Sequence, residues 1–200
     1  MPPGRSDAPK NLGDLRVELL RLENDDDRVR ARLAADGSLF RGYHPEMEAV
    51  HRANAQRLRA IIAVHGWPGA ALVGIDGASA AWRILQHAIG EPALLRACLP
   101  LLEACNDVDP GQVAMLVDRI RVFEGRPQLY GTQFDWSDDG PWMAPMGEVE
   151  DPAAVDERRK AVGLPPIEWR RPPPPDQAPP ADLAARRAEM IAWAKRVGWR

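Results

Sequence analysis

The segment GEPALLRACLPLLEACNDVDPGQ, residues 90–112, decides the predicted fold, because it holds the stop of one helix, a complete second helix and the start of a third. Gly90 is a helix-ending residue and predicts that the preceding helix occupies residues 77–89, with Asp76 as its N-cap. Pro92 fits the first turn of the next helix. That helix is the most apolar one predicted, so we expect it at the centre of the fold. Its apolar positions are Leu94, Leu95, Cys98, Leu99, Leu101, Leu102 and Cys105.

The end of the same segment predicts where the following helix starts. Asp109 is a favourable N-cap, Pro110 fits the first helical position, and Gln112 stands three residues after the cap. Gly125 is expected to end this helix. Because only short links join the three helices, we expect them to pack as an antiparallel array.

Two further helices are predicted before the array. In residues 12–35 leucine and valine recur at steps of three and four. The acidic run 25–27 interrupts this pattern and is expected to be a solvated turn of the helix, since it lacks the spaced oxygen ligands of a calcium loop. The second helix follows Pro45, stops at Gly66 and carries Asn54 on its predicted buried stripe.

The periodicity changes to two in the C-terminal half, which predicts a small β-hairpin near residues 128–149. A short helix ending at Gly163 follows. The fold class is therefore mainly α: an antiparallel array of about five helices with a small β-hairpin, a short helix, a Pro-rich linker and a C-terminal helix. The predicted organisation is a flexible N-terminus (1–10), a single helical domain (11–169), a Pro-rich linker (170–180) and an appended amphipathic helix (181–200).

Composition narrows the function classes. The 26 Lys and Arg are outnumbered by 29 Asp and Glu, so no basic excess predicts nucleic-acid binding. No apolar run approaches the length of about 18 residues that a membrane span needs, and no leader segment is apparent. Cys98 and Cys105 lie about 10 Å apart along one predicted helix, beyond the reach of a disulfide. We therefore expect a cytoplasmic protein with no membrane partner and no nucleic-acid partner.

His87 and Asp118 are the first candidates for catalysis. Both are polar residues on apolar helices, and if the third and fifth helices run parallel, the two side chains lie at similar heights. An aspartate beside an imidazole fixes its tautomer and favours a general base. The alternative is a structural polar pair that bridges two helices.

Other polar residues nearby are candidates for binding. Arg119 suits a carboxylate or an oxyanion, or else an ion pair within the fold. Gln86 and Gln133 are expected to bond either a ligand or the backbone. Tyr130 belongs to the same strand as Gln133, where the intervening glycine indicates close approach of a ligand or a bulge. His65, on the buried stripe of the second helix, is expected to cap its end or to contact the substrate.

No cofactor is expected from the sequence motifs. His65, His87 and Asp118 could supply three metal ligands in principle, but no metal-binding spacing accompanies them, and no nucleotide-binding or nucleophile motif occurs. His44 and His51 are expected at the surface. The sequence therefore predicts neither a bound metal nor another cofactor.

Several unusual words occur in order along the chain: His65-Gly66-Trp67-Pro68, Val73-Gly74, Ala80-Ala81-Trp82, Gln86-His87-Ala88, Asp118-Arg119, Gly125-Arg126-Pro127-Gln128, Tyr130-Gly131-Thr132-Gln133-Phe134, Val155-Asp156-Glu157-Arg158-Arg159 and Gly163-Leu164-Pro165-Pro166. Together they resemble a bacterial family named only as domain of unknown function 6624. The resemblance covers residues 15 to 169 and implies one compact, mostly helical domain without implying a reaction. The family often has a glutamine where this chain has Leu95. The family's characteristic polar positions fall on His65, Gln86, His87, Asp118, Arg119, Tyr130 and Gln133.

Two functions are expected from these residues. The first is a small acid-base enzyme, for example a hydrolase, acting on a polar or amide-like substrate between the helices and the hairpin, with His87 as base, Asp118 as its partner and Arg119 as charge stabiliser. The alternative is a non-catalytic helical module that binds a protein or peptide. The helix 181–199 would then dock either on its own domain or on a protein partner.

Overall fold

The computed structural model of the chain describes residues 12–40, 42–175 and 179–200. The predicted N-terminal segment 1–10 and residues 176–178 of the predicted linker lie outside the described residues.

The described residues fold into seven α-helices and one small hairpin, which confirms the mainly α class. The two strands pair antiparallel, with Phe134 opposite Pro145. The helices are α1 (Leu12–Ala35), α2 (Pro45–His65), α3 (Ala70–His87), α4 (Pro92–Glu103), α5 (Pro110–Glu124), α6 (Val155–Ala161) and α7 (Leu183–Arg196), and the strands are β1 (Phe134–Trp136) and β2 (Met143–Pro145).

Helix α3 begins earlier than the sequence predicts. It starts at Ala70, and it is broken inside by Gly74, whose φ of 75° lies in the region that favours glycine. The carboxylate of Asp107, in the loop between α4 and α5, accepts a hydrogen bond from the backbone N–H of Ala71 at 2.8 Å. The predicted cap Asp76 instead accepts from its neighbour Gly77. The predicted start at residue 77 therefore lies close to the start of the part that follows Gly74, whereas the preceding turn, residues 70–73, was missed because a distant loop supplies a cap that local sequence cannot show.

The predicted bounds of α5 are confirmed. Asp109 accepts a hydrogen bond from the N–H of Gly111 at 2.9 Å, and Gly125 ends the helix in the left-handed conformation. Helix α4 is less buried than predicted, since Leu101 is exposed and Cys105 is only partly buried. Cys98 is buried as expected, and its burial raises the pKa of its thiol to about 12.

The packing of the helices differs from the predicted array. Helix α1 packs against both α2 and α3, whereas α4 packs against α5. One apolar core joins these layers and includes Leu19 of α1, Leu58 of α2, Leu85 of α3, Leu95 of α4 and Leu116 of α5. The main neighbour of α3 is therefore α1, which the sequence analysis did not pair with it.

The hairpin is shorter than predicted. Only residues 134–136 and 143–145 pair as strands, and Gln128 forms an isolated bridge with Val149. Residues 129–132 form a loop whose backbone N–H groups turn towards α5. The period of two predicted a strand in residues 129–132, but in the structure this segment is a loop around the buried side chain of Asp118.

Helix α7 docks on its own chain. Trp193 and Trp199 are buried in the main core, and the indole N–H of Trp199 donates to the carbonyl of Ile89 at 2.7 Å. Arg187 forms an ion pair with Asp138 at 2.7 Å. The sequence analysis expected this helix to dock either on its own domain or on a protein partner, and in the structure it docks on its own domain. No helix among the described residues has the length and apolarity to cross a membrane.

Candidate functional site

His87, the last residue of α3, is bonded to a carboxylate that was not predicted. Its Nδ1 lies 2.7 Å from Oδ2 of Asp26, which comes from the middle of α1. Asp26 is 2% exposed, while the side chain of His87 is 25% exposed. The predicted partner Asp118 is wrong, because α1, and not α5, is the helix that packs along α3.

A second histidine faces the same carboxylate. His51 of α2 is buried, and its Nε2 lies 3.3 Å from Oδ2 of Asp26, although the two atoms are not aligned as a hydrogen bond. The ring of His51 lies 4.9 Å from the ring of His87, centroid to centroid. The expectations of an exposed His51 and of a solvated Asp26 are both wrong. We call Asp26, His51 and His87 the histidine–aspartate centre.

The centre is supported from behind by an aromatic residue. The hydroxyl of Tyr43 lies 2.8 Å from Nδ1 of His51, and the two rings are stacked. Trp193 of α7 meets the ring of Tyr43 edge to face, with the centroids 5.2 Å apart. Burial raises the pKa of the Tyr43 hydroxyl, so this group stays protonated at neutral pH.

The electrostatics of the centre keep Asp26 charged. Burial alone would raise the pKa of this carboxyl, but the close imidazoles of His51 and His87, the second of them hydrogen-bonded, oppose that effect and hold the pKa below its ordinary value. A buried carboxylate between two imidazoles favours a proton on each nitrogen that faces it. In that state His87 carries its proton on Nδ1, and its Nε2 is free to accept one.

Two buried polar atoms of the centre have no hydrogen-bond partner among the described residues: Oδ1 of Asp26 and Nε2 of His51. The nearest ligand atoms of Asp26, His51 and His87 all lie within 4.8 Å of one another, so these three residues could hold a metal ion. A metal set built from His65, His87 and Asp118, the one the sequence allowed in principle, is not formed.

Gln86 and Arg119 lie next to each other beside the centre. Nη1 of Arg119 donates to the backbone carbonyl of Gln86 at 2.5 Å. Nε of Arg119 and the side-chain nitrogen of Gln86 are buried without a partner in the described part of the chain. Burial lowers the pKa of the Arg119 guanidinium to about 10, so the group remains a cation at neutral pH. The two predicted binding residues are thus brought to the end of α3 that carries His87.

Asp118 has a different environment from the one predicted. Its carboxylate is completely buried and accepts hydrogen bonds from the backbone N–H groups of Leu129, Tyr130 and Thr132, and from the hydroxyl of Thr132. Each oxygen is therefore satisfied by the loop that follows α5. Asp118 is therefore a structural residue of this loop, and neither the predicted catalytic pair nor the alternative, a structural pair with His87 that bridges two helices, is formed.

Tyr130 and Gln133 belong to the same loop. The backbone carbonyl of Tyr130 accepts from Arg159 at 2.6 Å, and the backbone N–H of Gln133 donates to the buried side chain of Gln128 at 2.8 Å. The side-chain amide of Gln133 donates to the hydroxyl of Thr132 at 3.1 Å. These two residues are joined to Asp118 and not to His87.

His65 is separate from both groups. It is the last residue of α2, its side chain is exposed, and it makes no hydrogen bond among the described residues. The prediction that it lies on the buried stripe is wrong, whereas Asn54 on that stripe is buried and donates to the carbonyl of Leu22.

A hollow of about 630 Å³ lies between the end of α5, the hairpin and α7. Its wall includes Phe123, Trp136, Met146, Arg187 and Ile191. None of the predicted site residues lines it, and neither does any residue of the histidine–aspartate centre. This hollow is therefore not the predicted pocket, which the candidate site residues were expected to line.

The sequence did contain a signal for the missed residues. On α1 the buried positions Leu19, Leu22 and Leu33 have Asp26 in phase between them, and on α2 the positions of Met47 and Leu58 have His51 in phase. A charged or titratable residue in register with an apolar stripe is buried by its helix. It is therefore a better site candidate than its polarity alone suggests.

Comparison with known proteins gives a family and no activity. No curated protein and no solved structure matches the chain. The model of a family of unknown function, DUF6624, matches residues 13–171, which include α2 to α6, all of α1 but its first residue, and all three residues of the centre. Because this match covers most of the chain, the protein belongs to the DUF6624 family of unknown function.

Proposed function

We propose that the protein is a small acid-base enzyme whose reacting group is His87 and whose orienting carboxylate is Asp26. The single observation that carries this proposal is the 2.7 Å contact between Nδ1 of a partly exposed histidine and a buried aspartate. The aspartate fixes the proton on Nδ1 and stabilises the positive charge that develops when Nε2 takes a proton. This is the arrangement that a general base requires.

Hydrolysis of a polar, amide-like substrate is the reaction that we assign to this pair. Nε2 of His87 removes a proton from water while the water oxygen bonds to the carbonyl carbon of the substrate. The same nitrogen then returns the proton to the leaving nitrogen as the C–N bond breaks. Asp26 stays ionised throughout, and His87 ends in its starting state.

Arg119 and Gln86 are the groups best suited to hold such a substrate. The guanidinium is a partly buried cation with no carboxylate partner in the described part of the chain, so an oxyanion would compensate its charge. Arg119 directly follows Asp118 on α5, and the hydrogen bonds of Asp118 hold this helix to the loop after it. We therefore keep Arg119 as the charge stabiliser and Gln86 as a positioning residue.

A panel of chromogenic anilides and esters tests the proposal. Wild-type protein is compared with His87→Gln and, as a matched control, His65→Gln, which changes an exposed histidine outside the centre. We expect the His87 variant to lower the rate by roughly 10² to 10⁴ and the control to retain it. Equal rates in the wild type and the His87 variant would refute the proposal.

A second candidate function is peptide binding, which the 630 Å³ hollow favours because apolar and charged side chains line it together. Met190 and Ile191 of α7 form part of its wall, next to Arg187. Substitution of Ile191 by Asp would abolish binding at this hollow and leave the rates of the panel unchanged. Screening of a peptide library against the wild-type protein and the Ile191→Asp variant distinguishes peptide binding from hydrolysis.

A further inference from the structure

We propose that the histidine–aspartate centre binds a divalent transition-metal ion, with Zn²⁺ as the best-suited member of the class. The starting observation is that Oδ1 of Asp26 and Nε2 of His51 are buried and have no hydrogen-bond partner among the described residues. Both residues are more than nine-tenths buried. A buried polar atom without a partner costs about 1 to 3 kcal/mol, so such atoms commonly indicate a missing ligand.

The spacing of the ligand atoms fits an ion. Zinc lies about 2.0 to 2.2 Å from nitrogen and oxygen ligands, which places two ligands of a tetrahedral site about 3.4 Å apart. Nε2 of His51 is 3.3 Å from Oδ2 of Asp26, and the three residues have ligand atoms within 4.8 Å of one another. His87, with Nδ1 at 2.7 Å from Oδ2, needs a shift of less than 1 Å to open the same spacing.

The donor set selects the class of ion. Two imidazoles and one carboxylate suit zinc, nickel, cobalt and iron, whereas magnesium and calcium prefer sites made of oxygen atoms alone. Three protein ligands also leave a position open, as in catalytic zinc sites. The side chain of His87 is 25% exposed, so solvent reaches the centre at this ligand.

Tyr43 provides the outer support that metal-binding histidines usually have. A histidine that binds a metal through Nε2 carries its proton on Nδ1 and donates it to a neighbouring oxygen. The Tyr43 hydroxyl, 2.8 Å from Nδ1 of His51, is placed to accept that hydrogen bond. Trp193 packs edge to face on Tyr43 and holds the hydroxyl in position.

Binding of the ion does not require the protein to be an enzyme, and only its use in a reaction rests on the proposed function. An ion on Nδ1 of His87 replaces the proton that this nitrogen shares with Asp26. The ion would then polarise the substrate in place of imidazole catalysis. The two states of the centre are distinguished by the metal content of the protein.

Titration of chelator-treated full-length protein with Zn²⁺ and with Co²⁺ tests the inference directly. Isothermal calorimetry should give one Zn²⁺ per chain with a micromolar or lower Kd. Co²⁺ should give the visible absorption of a four- or five-coordinate site, and Zn²⁺ should displace it. Kd values in the millimolar range for both ions, or absorption typical of cobalt in water, would overturn the inference and leave a buried water as the partner of the unpaired atoms.

Variants locate the ion. Asp26→Asn, His51→Asn and His87→Asn should each weaken Zn²⁺ binding by at least a factor of about 10, while His65→Asn and Cys105→Ser should leave the Kd unchanged. Unchanged binding in the three variants of the centre would place the ion elsewhere and refute the assignment. Because His51 is buried and its variant could unfold, Tyr43→Phe is a second test, with an expected loss of about 10- to 100-fold.

Activity then separates this inference from the proposed function. If the chelator-treated protein keeps the His87-dependent rate and binds no Zn²⁺, the enzyme proposal stands and the metal assignment is wrong. If Zn²⁺ binds at the centre and no panel substrate is hydrolysed, the metal assignment stands alone.

Discussion

Asp118 and Asp26 are both aspartates buried on helices of the same core, and their surroundings differ in one respect. Four donor groups of a single loop satisfy the carboxylate of Asp118, and three of them are backbone N–H groups. Asp26 faces two histidine side chains and keeps one oxygen without a partner in the described part of the chain. The first arrangement fixes the path of the chain, whereas the second leaves atoms free to bind.

The same contrast extends to the neighbours of each carboxylate. Around Asp118, Gln128 donates to the carbonyls of Gln133 and Met146, and Arg159 donates to that of Tyr130. Around Asp26 the contacts are between side chains, and the end of α3 carries unpaired nitrogen atoms as well. Complete pairing around Asp118 accounts for a structural role, whereas the incomplete pairing around Asp26 is what makes the histidine–aspartate centre a candidate site.

The largest expected loss of stability follows from substitution of Asp118. Asp118→Ala would leave the N–H groups of Leu129, Tyr130 and Thr132 without their acceptor. At about 1 to 3 kcal/mol for each unpaired group, we expect a loss of at least about 3 kcal/mol in the free energy of unfolding, measured by urea denaturation. Asp138→Ala is the surface control. A loss below about 1 kcal/mol would show that the loop does not depend on Asp118.

A smaller loss is expected where α7 meets the core. Trp199→Phe keeps an aromatic ring against Phe123 but removes the hydrogen bond from the indole N–H to the carbonyl of Ile89. We expect a loss of about 1 kcal/mol, measured by the same method. Zn²⁺ affinity should not change, since the lost hydrogen bond involves no side chain of the centre, and Ile89 bonds His87 through the backbone, from its N–H to the carbonyl of His87 at 2.8 Å. A change in affinity would show that α7 tunes the centre as well as covering the core.

Asp26→Asn is expected to impair function more than stability. The amide retains an oxygen for the Nδ1 proton of His87, so we expect the free energy of unfolding to change by less than about 1 kcal/mol. The rate on the anilide and ester panel and the Zn²⁺ affinity should both fall. Should Asp26→Asn unfold the protein as Asp118→Ala does, the distinction between the two aspartates would be lost.

His65→Ala is expected to have the smallest effect. The side chain is exposed at the end of α2 and makes no hydrogen bond among the described residues. Surface changes of this kind alter stability by no more than about 0.5 kcal/mol. A substantial loss of rate or of Zn²⁺ affinity in this variant would extend the site beyond the histidine–aspartate centre.

The helices were predictable because local patterns determine them. The caps and stops of α5, the span of α1 and the stop of α2 at Gly66 follow from residues close to each boundary. The turn of α3 that precedes Gly74 was not predictable, since its cap Asp107 is 36 residues away in the sequence from the N–H group whose hydrogen bond it accepts.

The site was only partly predictable for a related reason. His87, Gln86 and Arg119 were identified and do lie near one another, but the carboxylate beside His87 depends on which helix packs along α3. A hydrophobic pattern shows which face of a helix is buried and does not name the helix that covers it. Short connections favoured α5 as the neighbour of α3, and α1, which is distant in sequence, is the neighbour in the structure.

Helix α3 is held at both of its ends by residues from other parts of the chain. Asp107 bonds the N–H of Ala71 near its start, and Asp26 and Arg119 bond His87 and Gln86 at its end. Fraying from either end must therefore break a contact with another element before the helix unwinds. Backbone N–H groups in the middle of α3 should accordingly exchange with deuterium only when the whole protein unfolds. The helix then belongs to the slowest-exchanging part of the molecule.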